Sequence, residues 1–527
     1  RQMASKKPAG SALLGKSPFP AQFELSNLDG TNGFILDGEN KGDQSGSSVS
    51  HAGDVNGDGI PDFIVGAPES LDGGRAYVIF GSKMGWGSPL ELSNLVGING
   101  FILTGEAPGD QSGMSVSTTG DINGDGIDDI VIGAPFGSPE GRQYAGITYV
   151  IFGSKKPWST PFPLSSVNGN NGFMLYGEVE NDNSGLSVST AGDFNGDGIS
   201  DLVIGAPGIS PRLYAGRTYV IFGNKNNWNS LIELSSLNGV NGIIIEGEIA
   251  IDRSGTSVAG AGDVNGDGIN DLIVGAFAAS PHNKTNAGSS YIIFGRRIGW
   301  WNSPIKLASL YGVYCVIILG VTPGDLSGMS VNGAGDVNGD GLSDVIIGAP
   351  KASPSNESQN AGKSYVIFGK KGVWNTPLEL ESLNGANGFI LNGEPKNRYS
   401  GSSVDGAGDV NGDGLSDLIV GAIGGIPAGR NNAGRSYVIF GSNHGWNSPI
   451  DLKSLNGTNG FIINGESAGD QSGQSVSRAG DINKDGIDDM IIGAPWASPD
   501  GKTFGGKSYV VFGMTNPPRR LLSNKKL

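Results

Sequence analysis

The chain has 527 residues, 91 of them glycine, with 37% hydrophobic residues and a formal charge of −16. So acidic a chain lacks the clustered Lys and Arg that bind nucleic acid, and its one cysteine, Cys315, excludes an intrachain disulfide. The longest apolar run, around Cys315 to Leu319, falls well short of the about 20 residues of a membrane helix, so no membrane insertion is expected.

In chain order, residues 1–22 read as a flexible basic tail with Arg1, Lys6, Lys7 and Lys16, and residues 514–527 as a second one with Arg519, Arg520, Lys525 and Lys526. Between them, residues 23–513 repeat one unit. Its first copy runs GFILDG (Gly33 to Gly38), the loop ENKGDQSG, SSVSHAG (Ser47 to Gly53), DVNGDGIPD (Asp54 to Asp62), FIVGAP (Phe63 to Pro68), a variable loop, AYVIFG (Ala76 to Gly81) and a link containing Trp86. Four short strands bounded by Gly, Pro, Asn and Ser describe a propeller blade, and the absence of a sustained 3.6-residue period predicts little helix. Copies of the acidic loop begin at Asp121, Asp193, Asp263, Asp336, Asp409 and Asp481, 67 to 73 residues apart. A period of that size marks a solenoid, propeller or array.

The loop has the chemistry of a calcium cage. Calcium takes about six to eight oxygens at roughly 2.3 to 2.6 Å, so a short loop must turn several inward together. Positions 1, 3, 5 and 9 supply side chains: Asp54, Asn56, Asp58 and Asp62 in the first copy, then Asp121, Asn123, Asp125 and Asp129; Asp193, Asn195, Asp197 and Asp201; Asp263, Asn265, Asp267 and Asp271; Asp336, Asn338, Asp340 and Asp344; Asp409, Asn411, Asp413 and Asp417; and Asp481, Asn483, Asp485 and Asp489. The backbone carbonyl of position 7 adds another oxygen, from Ile60, Ile127, Ile199, Ile269, Leu342, Leu415 or Ile487, whose side chain is expected to anchor the loop in the core. NG and DG are also hairpin signals, but a turn has no use for acids at both positions 1 and 9. An EF-hand is excluded because position 12 of the first loop is Val65, inside a strand-like run, where a bidentate Glu is needed. Up to seven Ca²⁺ ions are therefore expected, with a structural role, since the crowded acids repel one another without metal. Cages lacking that Glu suit millimolar calcium, which points to an extracellular or cell-surface location.

The FG of VIFG and the GAP of IGAP, flanking a D-x-N-x-D-G-x-x-D cage, make residues 23 to 513 resemble FG-GAP repeat proteins, among them the propeller domains of integrin α chains. The resemblance implies an all-β, seven-bladed β-propeller of four-stranded antiparallel blades. The calcium loops would join the first and second strands of each blade on the lower face, and protein or glycan ligands would bind the opposite face. Some positions depart from the pattern: Phe277 and Ile423 replace the Pro of GAP, Arg398 replaces an Asp before SG, Lys484 replaces a loop Gly and is expected to weaken calcium there, and the fifth unit reads CVIILGV from Cys315. Strand order predicts that the strand at Phe34 to Asp37 pairs with Tyr509 to Phe512 and closes the ring.

Alternating strand direction puts the calcium loops and the links around Trp86, Trp158, Trp228, Trp300, Trp374 and Trp446 on one face. The DxSG loops (Asp43, Asp110, Asp182, Asp252, Asp325 and Asp470) and the variable segments after GAP lie on the other. Arg142, Tyr144, Arg212, Tyr214, Arg430 and Trp496 are the candidate ligand contacts there, because Arg, Tyr and Trp dominate binding hot spots. DQSGS at Asp43 reads as turn chemistry, and the sequon matches at Asn283 and Asn356 lie in loops. With three His and no nucleophile–His pair, no enzyme is expected. The leading expectation is a monomeric propeller for cell adhesion or ligand recognition. The alternatives are an accessory propeller of a secreted hydrolase, as the resemblance to phospholipase D-type FG-GAP proteins implies, or a structural surface or matrix protein.

Overall fold

The Val-, Ile- and Phe-rich runs pair as short antiparallel ladders in the computed structural model, which describes residues 19–208, 215–226, 228–297, 299, 301–355 and 358–514. In the first complete blade Ser48–Gly53 lies innermost, followed outward by Asp62–Ala67, Arg75–Ile79 and Gly100–Thr104. Asp62–Ala67 is buried at every residue because sheets cover both its faces, as its unbroken apolar run requires. Seven such sheets form the ring, an all-β seven-bladed propeller. Helix among the described residues is limited to 3₁₀ elements of three or four residues, and none is long and apolar enough to cross a membrane. Arg212, Tyr214, Trp300, Asn356 and the cations of both ends lie outside the described residues.

Gly33–Asp37 pairs antiparallel with Lys507–Val511, Gly33 opposite Val511, so the ring closes as the strand order demands. Each blade also carries a fifth strand of two or three residues, parallel to the fourth and taken from the link that joins the third and fourth strands of the next blade. Leu90–Glu91 lies beside Gly33–Asp37, and Gln22–Glu24 lies in the same way beside Gly460–Asn464. Packing reaches back to Phe19, which is buried and stacks on Phe461 at 4.0 Å. That is the position where Trp86, Trp158, Trp228 and Trp446 stack on Phe34, Phe101, Phe173 and Phe389. In the blade preceding Trp301, that indole stacks on Phe194 at 5.1 Å instead, with the Arg296 guanidinium 4.0 Å from its centre.

The fifth unit forms its strand, Cys315–Leu319, despite losing the GFI start. The loss is felt just beyond it. The buried Tyr77, Tyr149, Tyr437 and Tyr509 hydroxyls donate to Glu39, Glu106, Glu394 and Glu466, each the acid that follows the Gly ending a fourth strand. Val321 stands at that position in the fifth unit, and the Tyr365 hydroxyl is buried without a hydrogen-bond partner. The first residue of the third strand joins the same acid elsewhere: Arg435 bonds Glu394, and Lys507 bonds Glu466 at 3.0 Å; Lys363 is its counterpart here. Val321→Glu is therefore expected to stabilise the fold by about 1 to 2 kcal/mol, since it satisfies a buried hydroxyl and can meet Lys363. Chemical denaturation would check this, and a variant no more stable than the parent would refute it.

Candidate metal centres

Every acidic loop leaves the inner strand at a Gly and enters the second strand at its ninth residue. In the first, Asp54 accepts the N–H of Asp58 at 3.0 Å on one oxygen and that of Gly59 at 2.8 Å on the other. Asn56 Oδ1 accepts the N–H of Asp58, and Asp58 Oδ1 that of Ile60, both at 2.8 Å. The same bonds recur in the other six loops, for example on Asp121, Asp263 and Asp481. Lys484 holds φ +58, keeps this pattern, and sets its ammonium against the Gly59 carbonyl of the neighbouring loop.

The ninth residue is the buried member. Asp62 accepts the N–H of Val55 at 3.0 Å and that of Gly81, the Gly of FG, at 2.8 Å. Asp129, Asp201, Asp271, Asp344, Asp417 and Asp489 repeat both bonds. No larger residue fits at Gly81, because a Cβ there would lie 2.3 Å from the Pro61 carbonyl. Burial, reinforced by the other loop acids, pushes the carboxyls of Asp62 and Asp271 up to about 8 and that of Asp344 to about 7. Asp129, Asp201, Asp417 and Asp489 are driven well above the ordinary range for the same reason.

Position 7 does not anchor the loop as expected. Its side chains all lie against the FG glycine, half-buried in six loops, with Ile487 alone reaching the core. The anchor is position 2: Val55, Ile122, Phe194, Val264, Val337, Val410 and Ile482 are each at most 1% exposed. Its carbonyl also joins the blades. The residue after each FG donates its N–H to the position-2 carbonyl of the preceding blade, from Ser82 to Ile482 across the ring closure (2.8 Å) to Met514 on Val410 (2.9 Å). The consistently apolar second position was the signal for this in the sequence.

The donor set fits a hard divalent cation. It is all oxygen, and a carboxylate oxygen holding one amide keeps a second lone pair. The loop acids do not bring three ligand atoms within 4.8 Å of one another; among the described residues the group that does is Asp37, Glu91 and Asp500, away from these loops. Ligation in the loops would thus require their acidic side chains to draw closer together, and the fifth-position one, Asp58 in the first copy, is exposed.

The inner strands line a polar central channel, with a cavity of about 290 Å³ among Ser50, His51, Thr118, Thr190, Asp405 and Arg478. The half-buried His51 accepts the Gly53 N–H on Nδ1 at 2.7 Å, the part that Thr118 and Thr190 hydroxyls play for Gly120 and Gly192. Burial, with the Arg478 charge acting in the same sense, pushes His51 down to about 3. An unfolded His titrates near 6.5, so the stability His51 contributes is complete above that pH and is lost as pH falls toward 3. His51→Thr keeps the acceptor, and its melting temperature is expected to fall less than the parent's between pH 7 and pH 4.

On the opposite face two of the candidate contacts are committed to the fold. Arg142 pairs with Glu233 at 2.9 Å and Arg430 with Glu24 at 2.5 Å, each tying a post-GAP loop to a fifth strand. Tyr144 stays 41% exposed and packs edge-on to Phe136, while Trp496 packs edge-on to the exposed Phe504. The Asp43 carboxylate accepts the Asn40 N–H at 3.1 Å, which is turn chemistry.

The FG-GAP repeat pattern matches residues 45–79, 112–151, 184–221, 254–293, 327–367, 400–439 and 472–511. The chain is 33% identical over 220 residues to a phosphatidylinositol-glycan-specific phospholipase D of Bos taurus, covering 41% of this chain and 24% of that protein. It is 30% identical over 319 residues to the protein of that name in Homo sapiens, covering 58% and 34%. Over 260 residues it is 33% identical to integrin alpha pat-2 of Caenorhabditis elegans, covering 47% and 18%. The chain thus spans about a third or less of the length of these relatives. With the pattern present in all seven blades and covering more than half of its length, the chain belongs to the FG-GAP repeat family.

Proposed function

We propose that this chain is a calcium-stabilised propeller that recognises an extracellular protein or glycan ligand, in adhesion or a related role, and does no catalysis itself. Calcium would sit in the seven loops, held by the side chains of positions 1, 3, 5 and 9 and the carbonyl of position 7. The observation that carries the calcium reading is the sevenfold recurrence of a buried position-9 carboxylate, raised by desolvation beside two further acids. A cation relieves that desolvation and that repulsion together.

Recognition is assigned to the face opposite the loops. Its post-GAP segments differ from blade to blade, and Tyr144 and Phe504 expose aromatic surface there (41% and 45%). Similarity to integrin alpha pat-2 supports adhesion. Similarity to phosphatidylinositol-glycan-specific phospholipase D favours a second reading, an accessory propeller of a hydrolase. Protein and glycan arrays probed with the whole chain in calcium and in EGTA test the first reading. Calcium-dependent binding that Tyr144→Ala weakens supports it. Hydrolysis of a glycosylphosphatidylinositol substrate by the chain would overturn it.

A further inference from the structure

We propose that Asp37, Glu91 and Asp500 form a divalent-cation site, separate from the seven acidic loops, that clamps the ring-closing blade. The three residues come from three parts of the chain: Asp37 ends the N-terminal strand of that blade, Glu91 is on its borrowed fifth strand, and Asp500 is in the loop between its second and third strands. Each offers one carboxylate oxygen, and these oxygens lie within 4.8 Å of one another. That is about the widest separation of two oxygens bound to one calcium ion at roughly 2.4 Å.

The second observation is Asp37 itself. It is 4% exposed, and its Oδ1 is buried with no hydrogen-bond partner. An unpartnered buried carboxylate oxygen is costly, and a group in this state calls for an explanation. The nearby lysines do not supply one. Lys507 is 3.0 Å from Glu466 but 4.0 Å from Asp37, and Lys502 is committed to Glu91 and the Gly38 carbonyl, each at 3.1 Å. Four carboxylates, those of Asp37, Glu91, Asp500 and Glu466, share these two ammonium groups.

The other blades show that the pairing is particular to this one. Asp37 lies directly opposite Glu91 on the neighbouring strand. The corresponding pairs are Thr104 with Pro163, Tyr176 with Glu233, Glu246 with Lys306, Leu319 with Glu379, Asn392 with Asp451 and Asn464 with Glu24. None of those sets acid against acid, an arrangement that destabilises a sheet unless a cation intervenes. Oxygen-only ligands select a hard ion, calcium or magnesium.

The test is made on the full chain. Crystals grown with calcium, or soaked in manganese as an anomalous substitute, are expected to show an anomalous peak about 2.1 to 2.6 Å from the Asp37, Glu91 and Asp500 oxygens. Asp500→Asn is the matched variant: Asp500 is exposed at φ +48, a conformation Asn tolerates, so the fold is kept. It is expected to bind one ion fewer and to lose calcium-dependent protection of the 33–37 amides from hydrogen exchange. No peak among these three residues, or Asp500→Asn with parental stoichiometry and protection, overturns the proposal. Because the peak is read at its own position, vacant acidic loops would count against the seven-loop reading and not against this site.

Discussion

Stripping calcium with EGTA is expected to lower the melting temperature of the whole chain by roughly 9 °C relative to millimolar calcium. At free calcium about ten times the dissociation constant each site stabilises the fold by about 1.4 kcal/mol, so seven give about 10 kcal/mol. An unfolding entropy of about 2 cal/mol/K per residue, over a chain of this size, converts that figure into the stated shift. The mechanism is local. Each loop holds a buried carboxylate on two amides, one from its own second residue and one from the FG glycine, while a third bond carries the position-2 carbonyl to the next blade. Removing calcium from the proposed sites would thus restore repulsion at the points where blades meet. Calorimetry with and without chelator reads this directly, and an unchanged melting temperature would remove calcium from the structural role proposed for it.

Phe34→Ala is expected to cost about 3 to 5 kcal/mol, the usual range for emptying a fully buried aromatic site. Phe34 is wholly buried, stacks on Trp86 at 4.7 Å and lies 6.0 Å from Phe512, so it packs the N-terminal strand onto the last blade. Phe101→Ala is the control, because Phe101 is equally buried and stacks on Trp158 at 4.0 Å inside an unbroken stretch of chain. The two should lose similar stability, but only Phe34→Ala should raise amide exchange across both Gly33–Asp37 and Lys507–Val511. Matching exchange patterns in the two variants would show that the closure is no weaker than any other seam.

The blade and its closure were legible because their signals are local and repeated. A sevenfold period, strand-length apolar runs and a fixed strand order leave little freedom in how the chain closes. The fifth strands were not legible: segments such as Leu90–Glu91 and Ile305–Lys306 are too short to show alternation, and a neighbouring blade gives them their pairing. The role of Phe19 is hidden for a related reason, since it stands where the other links have Trp. Composition does not single out the anchor, because positions 2 and 7 are both apolar and only the seam geometry separates them. The Asp37, Glu91 and Asp500 group joins residues more than 400 positions apart, which no spacing rule could bring together.

The fifth strands also restrict how this protein can meet others. An uncovered fourth strand would offer a row of free amides and carbonyls to any extended peptide. Here the last two or three residues of that strand are paired by a segment of the next blade, itself too short to template further growth. The flanks of the wheel thereby leave β-augmentation at most the first two or three residues of each fourth strand, too short a ladder to hold an extended peptide by backbone pairing alone.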